Sequence, residues 1–179
     1  MDNQQLLQAI RTADSEQIRQ LLAQGVSPNG EPEPLLLWLR PRTLPLVEAI
    51  RSRNATIVRL LLEAGANPNA ADRQGVLPLK VAVYLSDEGI VRLLLVHGAD
   101  PEKRGGDEIA NALQQAAYEG NIPMVRLLLE HGADPAAVTS QDKTVLARLR
   151  GPVLQLLIDA GAQVPPEILA MLREGSALP

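Results

Sequence analysis

Cysteine and phenylalanine are both absent from these 179 residues, and tyrosine and tryptophan bring the aromatic share to only 2%. Without cysteine there is no disulfide framework, no thiolate nucleophile and no cysteine-based metal site. Without large rings the interior has to be built from Leu, Val, Ile and Ala at close spacing, and thin layers of repeated helices do this well. A hydrophobic share of 46% is ample for one domain of ordinary size. The opening MDNQQLLQAIRTADSEQ has no basic stretch followed by an apolar run, and no apolar stretch of the sequence approaches a membrane span. A cytoplasmic location and no membrane partner are therefore expected. Nor is there a basic excess. The net charge is −4, which argues against nucleic acid as the main partner, because phosphate binding leaves a basic footprint. Nucleophile elbows and phosphate loops are missing too, since Gly105-Gly106 is followed by no Lys-Ser or Lys-Thr. The two histidines, His97 and His131, each precede a glycine with no carboxylate triad beside them. Both are expected to lie on a last helical turn near free carbonyls rather than to hold a metal. No catalytic residue, no cofactor and no small-molecule substrate are expected.

What the sequence does have is a period. Gly25-Val26, Gly65-Ala66, Gly98-Ala99, Gly132-Ala133 and Gly161-Ala162 each close a run of branched aliphatics, and the glycines lie 40, 33, 34 and 29 residues apart. In the clearest unit, DRQGVLPLKVAVYLSDEGIVRLLLVHGAD, Asp72-Arg73-Gln74-Gly75 is a turn signal and Pro78 sits where a first helical turn tolerates a missing amide. Leu79, Ala82 and Val83 follow at helical spacing and predict a short helix ending near Ser86-Asp87. Ile90, Val91, Leu93, Leu94 and Leu95 predict a second helix that is apolar on most of its circumference, so it must be sandwiched. Gly98 ends it in the left-handed conformation that a Cβ would strain. Neither helix is long enough to be stable alone.

This unit resembles an ankyrin repeat, whose period is about 33 residues with a T-P-L-H-x-A start. The starts here read Leu44-Pro45-Leu46-Val47-Glu48-Ala49, Leu77-Pro78-Leu79-Lys80-Val81-Ala82, Asn111-Ala112-Leu113-Gln114-Gln115-Ala116 and Thr144-Val145-Leu146, and the ends LLLEAGANPNAAD, LLLVHGADP, LLLEHGADP and LLIDAGA. The resemblance spans nearly the whole sequence. It implies an all-α ankyrin-repeat solenoid of about five helix-turn-helix units with short β-turn or hairpin connections. It also implies a role in binding a protein partner, as an adaptor, inhibitor or assembly subunit, rather than in catalysis. Only Thr144 keeps the family's starting Thr, and Val47, Lys80, Gln114 and Ala147 stand where it has His. In the family those two residues form a hydrogen-bonded ladder between repeats. Greater reliance on apolar packing is therefore expected here, with Asn111 as a substitute cap.

The boundaries follow from the punctuation. Residues 1–30 form an N-terminal capping repeat, because Gln17 and Gln20 stand where the next unit has Ile57 and Leu60. Residues 31–43 are an insertion, expected as an extended finger in which Pro32, Pro34 and Pro41 bracket Leu35-Leu36-Leu37-Trp38-Leu39. Further repeats occupy 44–72, 73–105, 106–138 and 139–164, the last clipped around Leu149-Arg150-Gly151-Pro152-Val153. Pro165-Pro166-Glu167 opens a C-terminal capping helix over 165–174, followed by a tail expected to fray.

Candidate contacts come from positions that recur. Two residues after the Ala of each start motif stand Arg11, Arg51, Tyr84 and Tyr118, the last two being the only tyrosines of the sequence. In an ankyrin stack the first helices and the turns before them line the binding face. Arg and Tyr are the residues enriched where binding energy concentrates. The ladder either meets a protein partner or stacks on neighbouring helices. Arg73, Gln74 and Val76 at a turn tip are further candidates, and so is Trp38, which either anchors a partner or folds back over the first two units. The same basic-aromatic set defines the alternative, a nucleic-acid-binding face that stacks bases. A second column, Arg19, Arg59, Arg92 and Arg126, lies on the second helices, where Glu63 and Glu130 are placed to pair with Arg59 and Arg126.

Overall fold

A computed structural model describes residues 2–30, 44–72, 74–105, 111–139, 151–164 and 166. Every regular element among them is a helix: α1 (Asp2–Arg11), α2 (Ser15–Ala23), α3 (Pro45–Arg51), α4 (Ala55–Glu63), α5 (Pro78–Tyr84), α6 (Glu88–Val96), α7 (Ala112–Tyr118), α8 (Ile122–Glu130), α9 (Ala136–Thr139) and α10 (Gly151–Asp159). The described residues divide into two compact units, one ending at Asp100 with Gly105 added, the other holding Pro101–Arg104 and the residues from Asn111 onward. The insertion at 31–43 with Trp38, the turn residue Arg73, the start at Thr144 and the C-terminal helix beyond Pro166 lie outside the described residues.

The same local chemistry shapes each helix pair. The first helix stops where one residue turns left-handed, at Ala13 (φ 56°), Arg53 (54°), Ser86 (54°) and Gly120 (69°). The amide of the next residue then reaches back five positions, Asp14 to the carbonyl of Ala9, Asn54 to Ala49, Asp87 to Ala82 and Asn121 to Ala116. That residue also begins the following helix. The side-chain oxygens of Asp14, Asn54, Asp87 and Asn121 accept from the amides of Gln17, Ile57, Ile90 and Met124 at 2.9, 3.2, 3.0 and 3.1 Å. One short polar residue thus ends one helix and caps the next, leaving no room for a loose loop. The second helices close at Gly25, Gly65, Gly98, Gly132 and Gly161, with φ from 85° to 98°, as the spacing predicts.

In the first unit three such pairs pack side by side. Helices α1, α3 and α5 make one layer and α2, α4 and α6 the other, each pair also packing within itself. Between the layers Ile10, Ile18, Ile50, Ile57, Leu61, Ile90 and Leu94 are fully buried. Gln17 and Gln20 are exposed on α2, whereas Ile57 is buried and Leu60 half-buried at the matching places on α4. In the second unit α7 packs on α8 and α9, and α8 on α10, around Leu113, Met124, Val125, Leu128, Val153 and Leu157.

Apolar packing is not the whole connection between repeats, although the loss of the Thr and His pattern suggests it. Four residues beyond a closing glycine, a polar residue clamps the following loop. Asn29 Oδ1 accepts from the amide of Asn67 at 2.7 Å, while its Nδ2 donates to the carbonyl of Gly65 at 3.2 Å. Asn69 repeats this on Asp100 and Gly98, both at 2.8 Å. In the second unit Glu102 takes the role, accepting from the amide of Asp134 at 2.9 Å and from Asn111 Nδ2 at 3.0 Å. Asn111 is the expected cap, and a full one: its Oδ1 accepts from the amide of Gln114, and Gln114 Oε1 accepts from its amide in return. Gln114 Nε2 also donates to the carbonyl of Ala137 at 2.6 Å, holding α9, a turn of helix the spacing does not predict.

Candidate partner-binding surface

The surface is built from the ends of the short first helices. Ala9, Ala49, Ala82 and Ala116 are buried because a neighbouring helix sits against them. Two positions further on, about 200° around the helix, the backbone faces away from that neighbour. Arg11, Arg51, Tyr84 and Tyr118 occupy those positions and all four are exposed. The tyrosines are the most exposed large rings of the described residues, at 70% for Tyr84 and 61% for Tyr118. At that exposure neither ring is part of the buried core.

In the first unit the structure brings three of these residues onto one layer, since α1 packs on α3 and α3 on α5. Adjacent helix axes of this kind lie roughly 8–10 Å apart. Arg11 is not a free cation: its Nε donates to Glu48 Oε1 at 2.7 Å, across from α1 to α3. Arg51 is exposed with no ion pair among the described residues. Tyr84 follows at the end of α5. Tyr118 belongs to the second unit and occupies the same position of α7 there.

The turn before α5 is ordered by its own aspartate. Asp72 Oδ1 accepts from the amides of Gln74 and Val76, both at 2.9 Å, and the backbone turns through Gly75 at φ 76°. This presents Gln74 exposed and Val76 half-buried. An open depression of about 580 Å³ along α1, lined by Gln4, Gln5, Leu7, Gln8 and Arg11, is a feature the recurrence of positions does not reveal. Its signal is the polar stripe Gln4, Gln8, Arg11 at helical spacing.

Other candidates are placed differently. His97 Nδ1 lies 2.8 Å from the carbonyl of Leu93 and His131 Nδ1 2.9 Å from that of Leu127. A carbonyl only accepts, so each Nδ1 carries the proton and the ring closes its own helix. On the second helices Arg19 pairs with Glu16 at 3.3 Å, while among the described residues Arg59 with Glu63 and Arg126 with Glu130 form no ion pair. Among the described residues no three His, Asp or Glu side groups gather as metal ligands would, and no helix is long and apolar enough to cross a membrane.

The comparisons agree with this geometry. A family model of ankyrin repeats in three copies matches residues 6–105, and a single ankyrin-repeat model matches residues 110–140. No curated protein matches the sequence.

Proposed function

Because the protein belongs to the ankyrin-repeat family, we propose that it is a non-catalytic module that binds a protein through the ends of its first helices and the adjoining turn tips. Ankyrin repeats are generally protein–protein interaction modules. One observation carries the reading to particular residues: the only two tyrosines stand exposed at the same helix position, 70% and 61% accessible. A tyrosine loses little rotational freedom on binding and offers a large contact area, so it is a poor choice for idle surface and a good one for contact. Arg51, on the helix that packs against that of Tyr84, adds a donor fork for a carboxylate or backbone carbonyl of the partner. The helix ends are held by caps and clamps before any partner arrives, so little ordering accompanies binding.

The test begins with the intact protein as bait. A retained protein is identified and its affinity measured against Tyr84→Ala and Arg51→Ala. Each substitution is expected to weaken binding by about ten-fold or more, the usual size for a central contact. Helical circular dichroism should not change, and Arg92→Ala on the second helix α6 should leave affinity intact. Unchanged affinity in both first-helix variants would place the contact elsewhere.

A further inference from the structure

We propose that Asn29-Gly30 is a self-modification site that the fold holds closed, and that opening of the first repeat lets it fire. It is the only Asn-Gly pair in the sequence. In such a pair the backbone nitrogen of the glycine, giving up its proton, attacks the carboxamide carbon of the asparagine. A five-membered imide closes, the bond from that carbon to the amide nitrogen breaks, and ammonia leaves carrying the proton. Water then opens the imide at either carbonyl, leaving aspartate or isoaspartate. No oxidant, reductant or enzyme enters the balance.

The structure blocks each requirement of that attack. The Gly30 amide donates to the carbonyl of Ser27 at 3.2 Å, and Gly30 is buried. The Asn29 carboxamide is stretched away onto the next loop, accepting from Asn67 at 2.7 Å and donating to Gly65 at 3.2 Å. Attack needs this group to swing back over its own backbone, which breaks both bonds. Separation of the two loops is therefore the gate.

Both residues are held in place by the fold. Asn29 supplies a donor and an acceptor together, which no carboxylate can. Gly30 sits at φ 76°, a conformation that residues with a Cβ rarely adopt. The next clamp, Asn69, makes the same pair of bonds but precedes Ala70, whose methyl hinders approach. Chemical lability thus concentrates on the joint between the first and second repeats.

Modification would be one-way in its effect. The new carboxylate has no hydrogen to give Gly65, so it would face that carbonyl oxygen across a former hydrogen bond. Isoaspartate would also insert a carbon into the turn. Once the site has fired, the joint between the two loops opens more easily.

The intact protein is incubated folded, and separately unfolded in urea, in mildly alkaline buffer. Loss of the Asn29 amide is followed by peptide mass mapping with isoaspartate labelling. Reaction in the folded protein is expected to be slower by about ten-fold or more, since a protected segment reacts only in its opened fraction. Ile18→Ala, which empties core space beneath α2, should close much of that gap. Wild-type rates across urea concentrations below the unfolding transition should rise steadily, a measurement that does not depend on the variant folding. Purified deamidated protein should exchange the amide hydrogens of α1 and α2 faster than unmodified protein, with Asn29→Asp behaving alike. Equal rates folded and unfolded would overturn the gate. Faster loss at another asparagine, or unchanged exchange after modification, would overturn the assignment of Asn29 as the joint.

Discussion

At the scale of single residues, backbone handedness decides more than side-group contact. Gly65 has nothing within 4 Å of where a Cβ would go, yet its φ is 88°. Gly65→Ala is therefore expected to cost about 1 kcal/mol through strain alone. Ser86 sits at φ 54° in a conformation that glycine adopts more easily, so Ser86→Gly should be neutral or stabilising by up to about 1 kcal/mol. Urea unfolding of the two variants checks both signs. A large loss in Ser86→Gly would mean that its hydroxymethyl group matters more than its backbone. The closing glycines were legible from the sequence because only glycine adopts that conformation cheaply after an apolar run. The left-handed Ala13, Arg53 and Ser86 were not, since their residue types carry no such signal and the neighbouring repeat geometry imposes the turn.

At the scale of elements, the clamps and caps explain how short helices persist. Asn69→Ala removes an acceptor from the Asp100 amide and a donor from the Gly98 carbonyl. Because these groups are near water, the expected loss is about 1 kcal/mol. Asn111→Ala should be worse, about 1–3 kcal/mol, because Asn111 and Gln114 are buried and the variant breaks the capping box, stranding the Gln114 amide without its acceptor. Thermal unfolding orders the pair, and equal losses would argue against burial as the distinguishing cause. By contrast Arg11→Ala should shift stability by only a few tenths of a kcal/mol, because the Arg11 side group is 54% exposed. Helix capping by Asn111 is readable from a polar residue opening an amphipathic run. The Asn29, Asn69 and Glu102 clamps are not, because each clamped loop amide lies about one repeat away and sequence order does not say which loop will come to face them.

At the scale of the whole molecule, a repeat protein distributes stress to neighbours rather than through one core. Leu61 on α4 is fully buried, and α4 packs on both α2 and α6. Leu61→Ala is expected to cost about 2–5 kcal/mol and to speed amide exchange in α2 and α6 together. Leu6 on α1 is equally buried, but α1 packs chiefly on α2 and α3, so Leu6→Ala should leave α6 protected. Uniform loss of protection in both variants would mean that the first unit unfolds as one block. The amino-acid order alone settled the repeat, the helix pairs, their closing glycines and the recurrence of Arg11, Arg51, Tyr84 and Tyr118 at one helix position, because periodic burial is written in residue types at fixed spacing. Folding alone decided that Arg11 is joined to Glu48, that Arg51 and Tyr84 stand exposed, and that Asn29 is locked away from Gly30. Those outcomes turn on distances between segments far apart in sequence, and such distances exist only once the helices have stacked.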